Sequence, residues 1–291
     1  MNIQSIVDLL LNKKISIYSA INKVKKNPIS SSKELISMIN NTNSYLRLFA
    51  AWSLGEIKEN KCFKILVKKF NSEDDPNVRA NIVRSLFFIN SKSIPLSLFK
   101  KFINDKYYPI PLMAVKFISL SKNLHSRISF NKLYESTKNT IFKAELLRNI
   151  RFFSTKNSTL NLLFNDLVKD NQILKTEIIE AIGLVNSPDS LDILIEYYEQ
   201  KKDYFLKDLL LSDSLIRSVI NLCQSKSYNI LYQIYLVHKN FNLRKKIIEA
   251  LITVGGPKSL EILNKLIKIE VNEQLKKLIT TETKKVNIID F

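Results

Sequence analysis

The sequence predicts an all-α fold, a right-handed α-α superhelix of about seven two-helix repeats of 32 residues with capping helices at both ends. Three observations predict it. A residue, usually basic, followed by apolar residues at +4, +7 and +10 recurs at a step of 32. An apolar pair recurs at the same step in a second phase. Glycine (4) and proline (7) are scarce among 291 residues, whereas a β-rich fold needs many tight turns built from them.

Taken in order, residues 1–44 read as helices over Ile3–Leu11, Ile15–Val24 and Lys33–Ile39, about two residues out of register, and so as a degenerate first repeat with a cap. The repeats occupy 45–270. Arg47 leads Ala51, Leu54 and Ile57, a spacing that puts the three apolar groups on one helix face. Steps of 32 then give Arg79 with Val83, Leu86 and Ile89; Pro111 with Val115, Ile118 and Ser121; Lys143 with Leu147, Ile150 and Phe153; and Lys175 with Ile179, Ile182 and Val185. Ser212 (Ile216, Val219, Leu222) and Arg244 (Ile248, Leu251, Val254) complete the series. The step from 175 to 212 is 37, which places a five-residue insertion near Gln200–Leu206. The second phase runs through Ile65-Leu66, Ser97-Leu98, Ser129-Phe130, Asn161-Leu162, Ile193-Leu194, Ile230-Leu231 and Ile262-Leu263. Loss of the basic residue at Pro111 and Ser212 predicts a less regular middle. Residues 271–291 read as a cap, with a lone helix over Leu275–Val286 and a tail. A helix pair cannot bury its apolar face alone, so stacking predicts one continuous domain over 1–291.

The junctions fit this plan. Asp74-Asp75-Pro76 places acidic residues and a proline where a helix opens, and Ser187-Pro188-Asp189 and Gly255-Gly256-Pro257 close one helix and start the next. Cys62 and Cys223 are too few for a disulfide framework and read as reduced thiols at core or boundary positions. The N-terminus lacks a basic n-region, and the apolar run Ile6–Leu11 is broken by Asp8 and too short to span a bilayer. A cytoplasmic protein with no membrane partner is expected.

The repeat resembles the HEAT family, and within it the short repeats named after phycobilisome lyases. Asp74-Asp75-Pro76-Asn77-Val78-Arg79 matches the repeat entry, Glu180-Ala181-Ile182-Gly183-Leu184-Val185 the first helix, and Gly256-Pro257-Lys258-Ser259-Leu260-Glu261-Ile262-Leu263 the turn and second helix. Leu46-Arg47-Leu48-Phe49-Ala50-Ala51-Trp52-Ser53-Leu54-Gly55 is similar to a segment near the start of one phycobilin lyase subunit type, with Ser53 replacing a second Trp and the basic segment that follows there missing. The resemblance covers about 45–270. It implies a HEAT-like solenoid that holds a bilin as a transferred ligand, with no permanently bound cofactor. Its partners would be a phycobiliprotein and a second solenoid subunit. The thiol nucleophile would belong to the partner, so a lyase of this kind needs no catalytic constellation of its own.

The residues themselves offer little chemistry. His125 and His238 are isolated from each other and from the cysteines, so zinc-ligand spacing is absent, and both read as partly exposed loop residues. There is no phosphate-binding glycine loop, nucleophile elbow or HExxH. No catalytic or metal residue is assigned, and enzymatic activity rests on the resemblance alone.

The charge is more informative. The net charge of +18 favours an anionic partner, although AT-rich coding also enriches Lys, Asn and Ile. Lys64, Lys68, Lys69, Lys100, Lys101, Lys132, Lys265 and Lys268 fall on second helices, which in HEAT-like solenoids line the concave surface; Asp192, Glu196 and Glu199 interrupt the series. The expected ligand or partner groove comprises Arg47, Trp52, Lys64, Lys68, Arg79, Arg84, Lys100, Lys101, Tyr107 and Tyr108, with Trp52 and the tyrosines equally compatible with packing between repeats. Two alternatives remain beside the bilin-lyase scaffold: a basic HEAT-repeat nucleic-acid-binding protein and a protein–protein adaptor with no small ligand. One tryptophan is too few for the aromatic groove of the DNA-repair glycosylases that share the fold.

Overall fold

The computed structural model describes residues 3–26, 28–156, 158–169, 173–222 and 227–289. Cys223 lies outside them. Among the described residues the fold is all-α, an array of two-helix repeats with one isolated β-bridge between Ser129 and Ser154. The chain forms two compact units, residues 1–129 with 152–154 and residues 130–151 with 155–291.

Unit 1 contains α1 (Ile3–Leu11), α2 (Ile17–Lys25), α3 (Pro28–Met38), α4 (Ser44–Glu56), α5 (Phe63–Ser72), α6 (Pro76–Asn90), α7 (Leu96–Ile103) and α8 (Pro109–Lys116). Unit 2 contains α9 (Phe130–Ser136), α10 (Thr140–Arg148), α11 (Ser158–Val168), α12 (Lys175–Val185), α13 (Ser190–Gln200) and α14 (Lys202–Lys207). It continues with α15 (Leu209–Leu222), α16 (Ser227–Val237), α17 (Phe241–Val254), α18 (Gly256–Ile269) and α19 (Glu273–Ile289). The first helices α4, α6, α8, α10, α12, α15 and α17 keep the period of 32, and the insertion is the short helix α14. Its Phe205 is buried against Tyr197 and Tyr198, at 5.8 and 5.3 Å between ring centroids.

The apolar phases are the core. Ala51, Leu54, Val83, Leu86, Val115, Leu147, Ile179, Ile182, Ile216, Val219, Ile248 and Leu251 are buried. So are Leu66, Leu98, Phe130, Leu194, Leu231 and Leu263 from the second helices. In α11 the expected Leu162 is half-buried, and Leu160, Leu163 and Leu167 are buried instead. The irregular middle is present as well. Helices α8 and α10 are short, and each gives way to a 3-10 turn, Ile118–Leu120 and Ile150–Phe152.

Helix starts are set by a periodic cap. Asn43, Asp75, Asn139, Asp208, Asn240 and Asn272 each accept a hydrogen bond from a backbone N–H two or three residues on, satisfying donors that a helix leaves free at its start. Two first-helix contacts are unusually close. A Cβ on Gly55 would meet Ser85 Oγ at 2.4 Å, and one on Gly183 would meet Ser218 Cα at 2.8 Å. Ser85 donates to the Ala51 carbonyl at 2.7 Å and Ser218 to the Ile179 carbonyl at 2.9 Å, so the same device recurs in both units.

Where an arginine leads the repeat it is a structural clamp. Arg47 pairs with Glu73 (2.7 Å), Arg79 with Asp105 (3.0 Å) and Arg244 with Glu270 (3.1 Å), each acid standing 26 residues on. Arg47 also donates to the Asn41 and Thr42 carbonyls, Arg79 to that of Glu73, and Arg244 to that of His238. Each guanidinium therefore ties the turn ahead of its helix to the turn after the next one. Lys143 pairs with Asp166 (3.2 Å), and buried Lys175 lies 5.1 Å from the Tyr204 ring of α14.

One expectation is corrected here. His238 is buried, not a partly exposed loop residue. It stands 26 residues after Ser212, where other repeats carry the clamp acid, and its Nε2 lies 3.0 Å from Ser212 Oγ. Burial lowers its pKa. His125 is half-buried, 4.7 Å from the Phe152 ring.

Candidate functional site

The second helices of unit 1 carry two adjoining clefts. Lys64 and Lys68 are four residues apart on α5 and so share one face. Across from them α7 presents Leu98 and Lys101. With Phe63, Val67 and Pro95 these residues line a cleft of about 450 Å³. A second cleft of about 640 Å³ is lined by Phe70, Arg79, Lys100, Asn104 and Lys106, and its acids are Glu73, Asp74 and Asp105. Asn71, Ser97 and Lys101 belong to both. Lys101 Nζ donates to Asn71 Oδ1 at 3.0 Å, linking α7 to α5.

The charge of this surface is unbalanced. Lys64, Lys68, Lys100, Lys101 and Lys106 are exposed, and none is ion-paired among the described residues. Two of the three acids are already used. Burial pushes the Glu73 carboxyl up, but hydrogen bonds from Arg47, the Asp75 N–H and Lys69 outweigh it and hold the group below the ordinary carboxylate range. Asp105 is held by Arg79 and accepts from the Tyr107 N–H at 2.9 Å. The result is an apolar floor rimmed by ammonium groups with polar donors between them, suited to an anionic ligand or surface.

The structure brings together Lys64, Lys68, Arg79, Lys100 and Lys101 of the expected groove. Arg47 lies in its clamp with Glu73 and lines neither cleft. Trp52 and Arg84 form a separate cluster on the first helices. Tyr18 meets Trp52 edge-on at 5.0 Å, Arg84 lies 5.1 Å from the Trp52 ring and 4.6 Å from that of Phe88, and Glu56 accepts from Arg84 at 2.5 Å. Tyr107 donates from its hydroxyl to Asn77 at 3.1 Å, and Tyr108 is half-buried. Sequence reasoning missed Lys106, Asn71, Ser97 and Asn104. It also missed the clamp acids, whose spacing of 26 from each arginine was available as a signal. Cys62 is buried in the turn Asn60–Cys62 just ahead of α5, and burial raises its pKa to about 11. Among the described residues no group of His, Cys, Asp or Glu is placed to hold a metal ion, and no helix is long and apolar enough to cross a membrane.

Residues 32–112, which include both clefts, match the family model for HEAT repeats. No curated protein matches the chain. Among solved structures, the complex of CpcE and CpcF of phycocyanin lyase from Nostoc sp. PCC7120 is similar at 14% identity and a TM-score of 0.35, over 88% of this chain and 94% of that one. Human deoxyhypusine hydroxylase is similar at 12% identity and a TM-score of 0.34, over 98% of this chain and 94% of that one. Two-helix packing in the same register continues beyond the matched repeats, through α18 in unit 2.

Proposed function

We propose that the chain is a helical-repeat binding scaffold that holds an anionic partner on the α5–α7 surface. In the finer reading suggested by the Leu46–Gly55 segment, that partner is a bilin or a phycobiliprotein-like protein during chromophore attachment or assembly. The observation that carries the proposal is the set of exposed lysines, without acid partners among the described residues, around two adjoining clefts, the smaller of which has an apolar floor. The Leu46–Gly55 segment adds less than its likeness suggests. Phe49, Ala50, Ala51 and Leu54 are core, Gly55 admits Ser85, and Arg47 clamps Glu73. Packing thus accounts for most of that segment.

The test is binding by the full chain to a free open-chain bilin, an acidic phycobiliprotein and single-stranded RNA, each at two salt concentrations. The variant K64E/K68E/K100E/K101E provides the comparison. A visible absorption shift with bilin, or phycobiliprotein binding, that the variant loses supports the proposal. Salt-sensitive RNA binding with neither of these replaces it with a nucleic-acid function. Binding that the variant leaves unchanged removes the α5–α7 surface from the account.

A further inference from the structure

Unit 2 carries a row of exposed aliphatic side chains that its own packing does not explain. One position of the repeat, at or just before the first turn of the first helix, is occupied by Tyr45, Asn77, Pro109, Ile141, Ile173, Leu210, Asn242 and Gln274. The three aliphatic residues, all in unit 2, are consecutive in this series and are 62%, 73% and 73% exposed. The start of a helix exposes unpaired N–H groups and favours polar or acidic residues, as Asn77, Asn242 and Gln274 illustrate. Leu209 and Phe241, one position earlier in their repeats, are 46% and 37% exposed beside them. Single exposed apolar residues are ordinary, but a contiguous set marks an interaction surface.

The row has a spacing and a charge. Helix α10 packs on α12, α12 on α15 and α15 on α17, so the row advances one helix per residue, roughly 10 Å at ordinary helix-packing distances. An α-helix laid along it returns the same face every seven residues, or about 10.5 Å. Apolar residues at i, i+7 and i+14 of such a helix would meet Ile141, Ile173 and Leu210 in turn. Lys138, Lys207 and Lys239 share one junction position beside this row; Asp170, at the same position between the first two, lies outside the described residues. All three are exposed and have no ion pair among the described residues. Asp208, next to Lys207, is engaged in capping α15. We propose that this edge of unit 2 docks an acidic, amphipathic helix of a partner protein.

The test uses the full chain and a fluorescent Glu-rich helical peptide of about 21 residues with leucines at heptad spacing, against a control of the same composition with the leucines regrouped. Anisotropy should show at least tenfold tighter binding of the heptad peptide. The variant Ile141→Asn/Ile173→Asn/Leu210→Asn should lose at least tenfold, with unchanged circular dichroism, because Asn already stands at this position in α6 and α17. K138E/K207E/K239E should weaken binding and flatten its salt dependence. If the triple asparagine variant does not fold, Ile173→Asn and Leu210→Asn are measured singly, each expected to lose a few-fold. Equal binding of the two peptides, or an asparagine variant that binds like the parent, overturns the proposal. It is also overturned if the asparagine substitutions abolish binding to phosphatidylserine vesicles or self-association in sedimentation while the heptad peptide is not bound.

Discussion

Replacing Glu270 by alanine tests whether the clamp holds the repeats together. The Glu270 side chain is fully buried and Arg244 is 18% exposed. Arg244 Nη1 lies 3.1 Å from both carboxylate oxygens, the Val271 and Asn272 N–H groups donate at 2.8 Å, and the Tyr235 hydroxyl donates as well. The substitution leaves a guanidinium without its counter-charge and three donors without an acceptor. Breaking a buried pair from one side costs about 3–5 kcal/mol. Arg244 keeps the His238 carbonyl and some contact with water, so about 3 kcal/mol is expected, a factor of order 100 in the folding equilibrium. Urea unfolding followed by far-UV circular dichroism measures it. Arg244→Met/Glu270→Met removes both charges and is expected to lose less than Glu270→Ala alone. A loss below about 1 kcal/mol for Glu270→Ala, or a double variant worse than either single one, refutes the clamp as a source of stability.

Four further outcomes are expected. Gly55→Ala gains about 1 kcal/mol in an exposed helix, but here its Cβ would overlap Ser85, so urea melts should show a loss of about 1–3 kcal/mol. Phe205→Ala should cost about 3 kcal/mol, because this side chain anchors the inserted helix on Tyr197 and Tyr198; unchanged stability would make α14 a surface appendage. Acid titration should show two stages. Below about pH 6.5 the unfolded chain takes up a proton that buried His238 resists, so stability declines as pH falls until the folded imidazole also protonates. Glu73, Asp166 and Glu270 are depressed when folded, so their contribution is present above the unfolded carboxylate range and is lost as pH falls through the folded values; His238→Asn should remove only the first stage. Finally, in a Cys223→Ser background Cys62 should resist a thiol reagent at pH 8 until urea unfolds the chain, because the thiol is buried and its pKa is about 11.

The repeat was legible because burial enforces it. Residues such as Leu54, Leu86, Ile182 and Leu251 must be apolar at fixed spacing or the stack loses its core. The insertion was legible as an interval of 37, but its helical form was not, because that depends on Phe205 finding Tyr197 and Tyr198. The lysines of α5 and α7 were found by phase alone. Their convergence with Lys106 depends on the loop after α7, whose path no periodicity records. Arg47 and Arg79 illustrate the opposite problem. Their regular spacing drew attention as charge, yet the acids that engage them lie 26 residues away, outside any single-helix window. His238 was opaque for the same reason, since only the clamp register explains why it is buried.

The most direct test of the central claim is an amine-labelling footprint of the full chain, read by mass spectrometry, with and without bilin or an acidic phycobiliprotein. Bound ligand should protect Lys64, Lys68, Lys100, Lys101 and Lys106 and leave the exposed Lys92 and Lys116 equally reactive. Protection confined to other lysines, or no protection at concentrations well above those that saturate binding of an anionic partner, would contradict it.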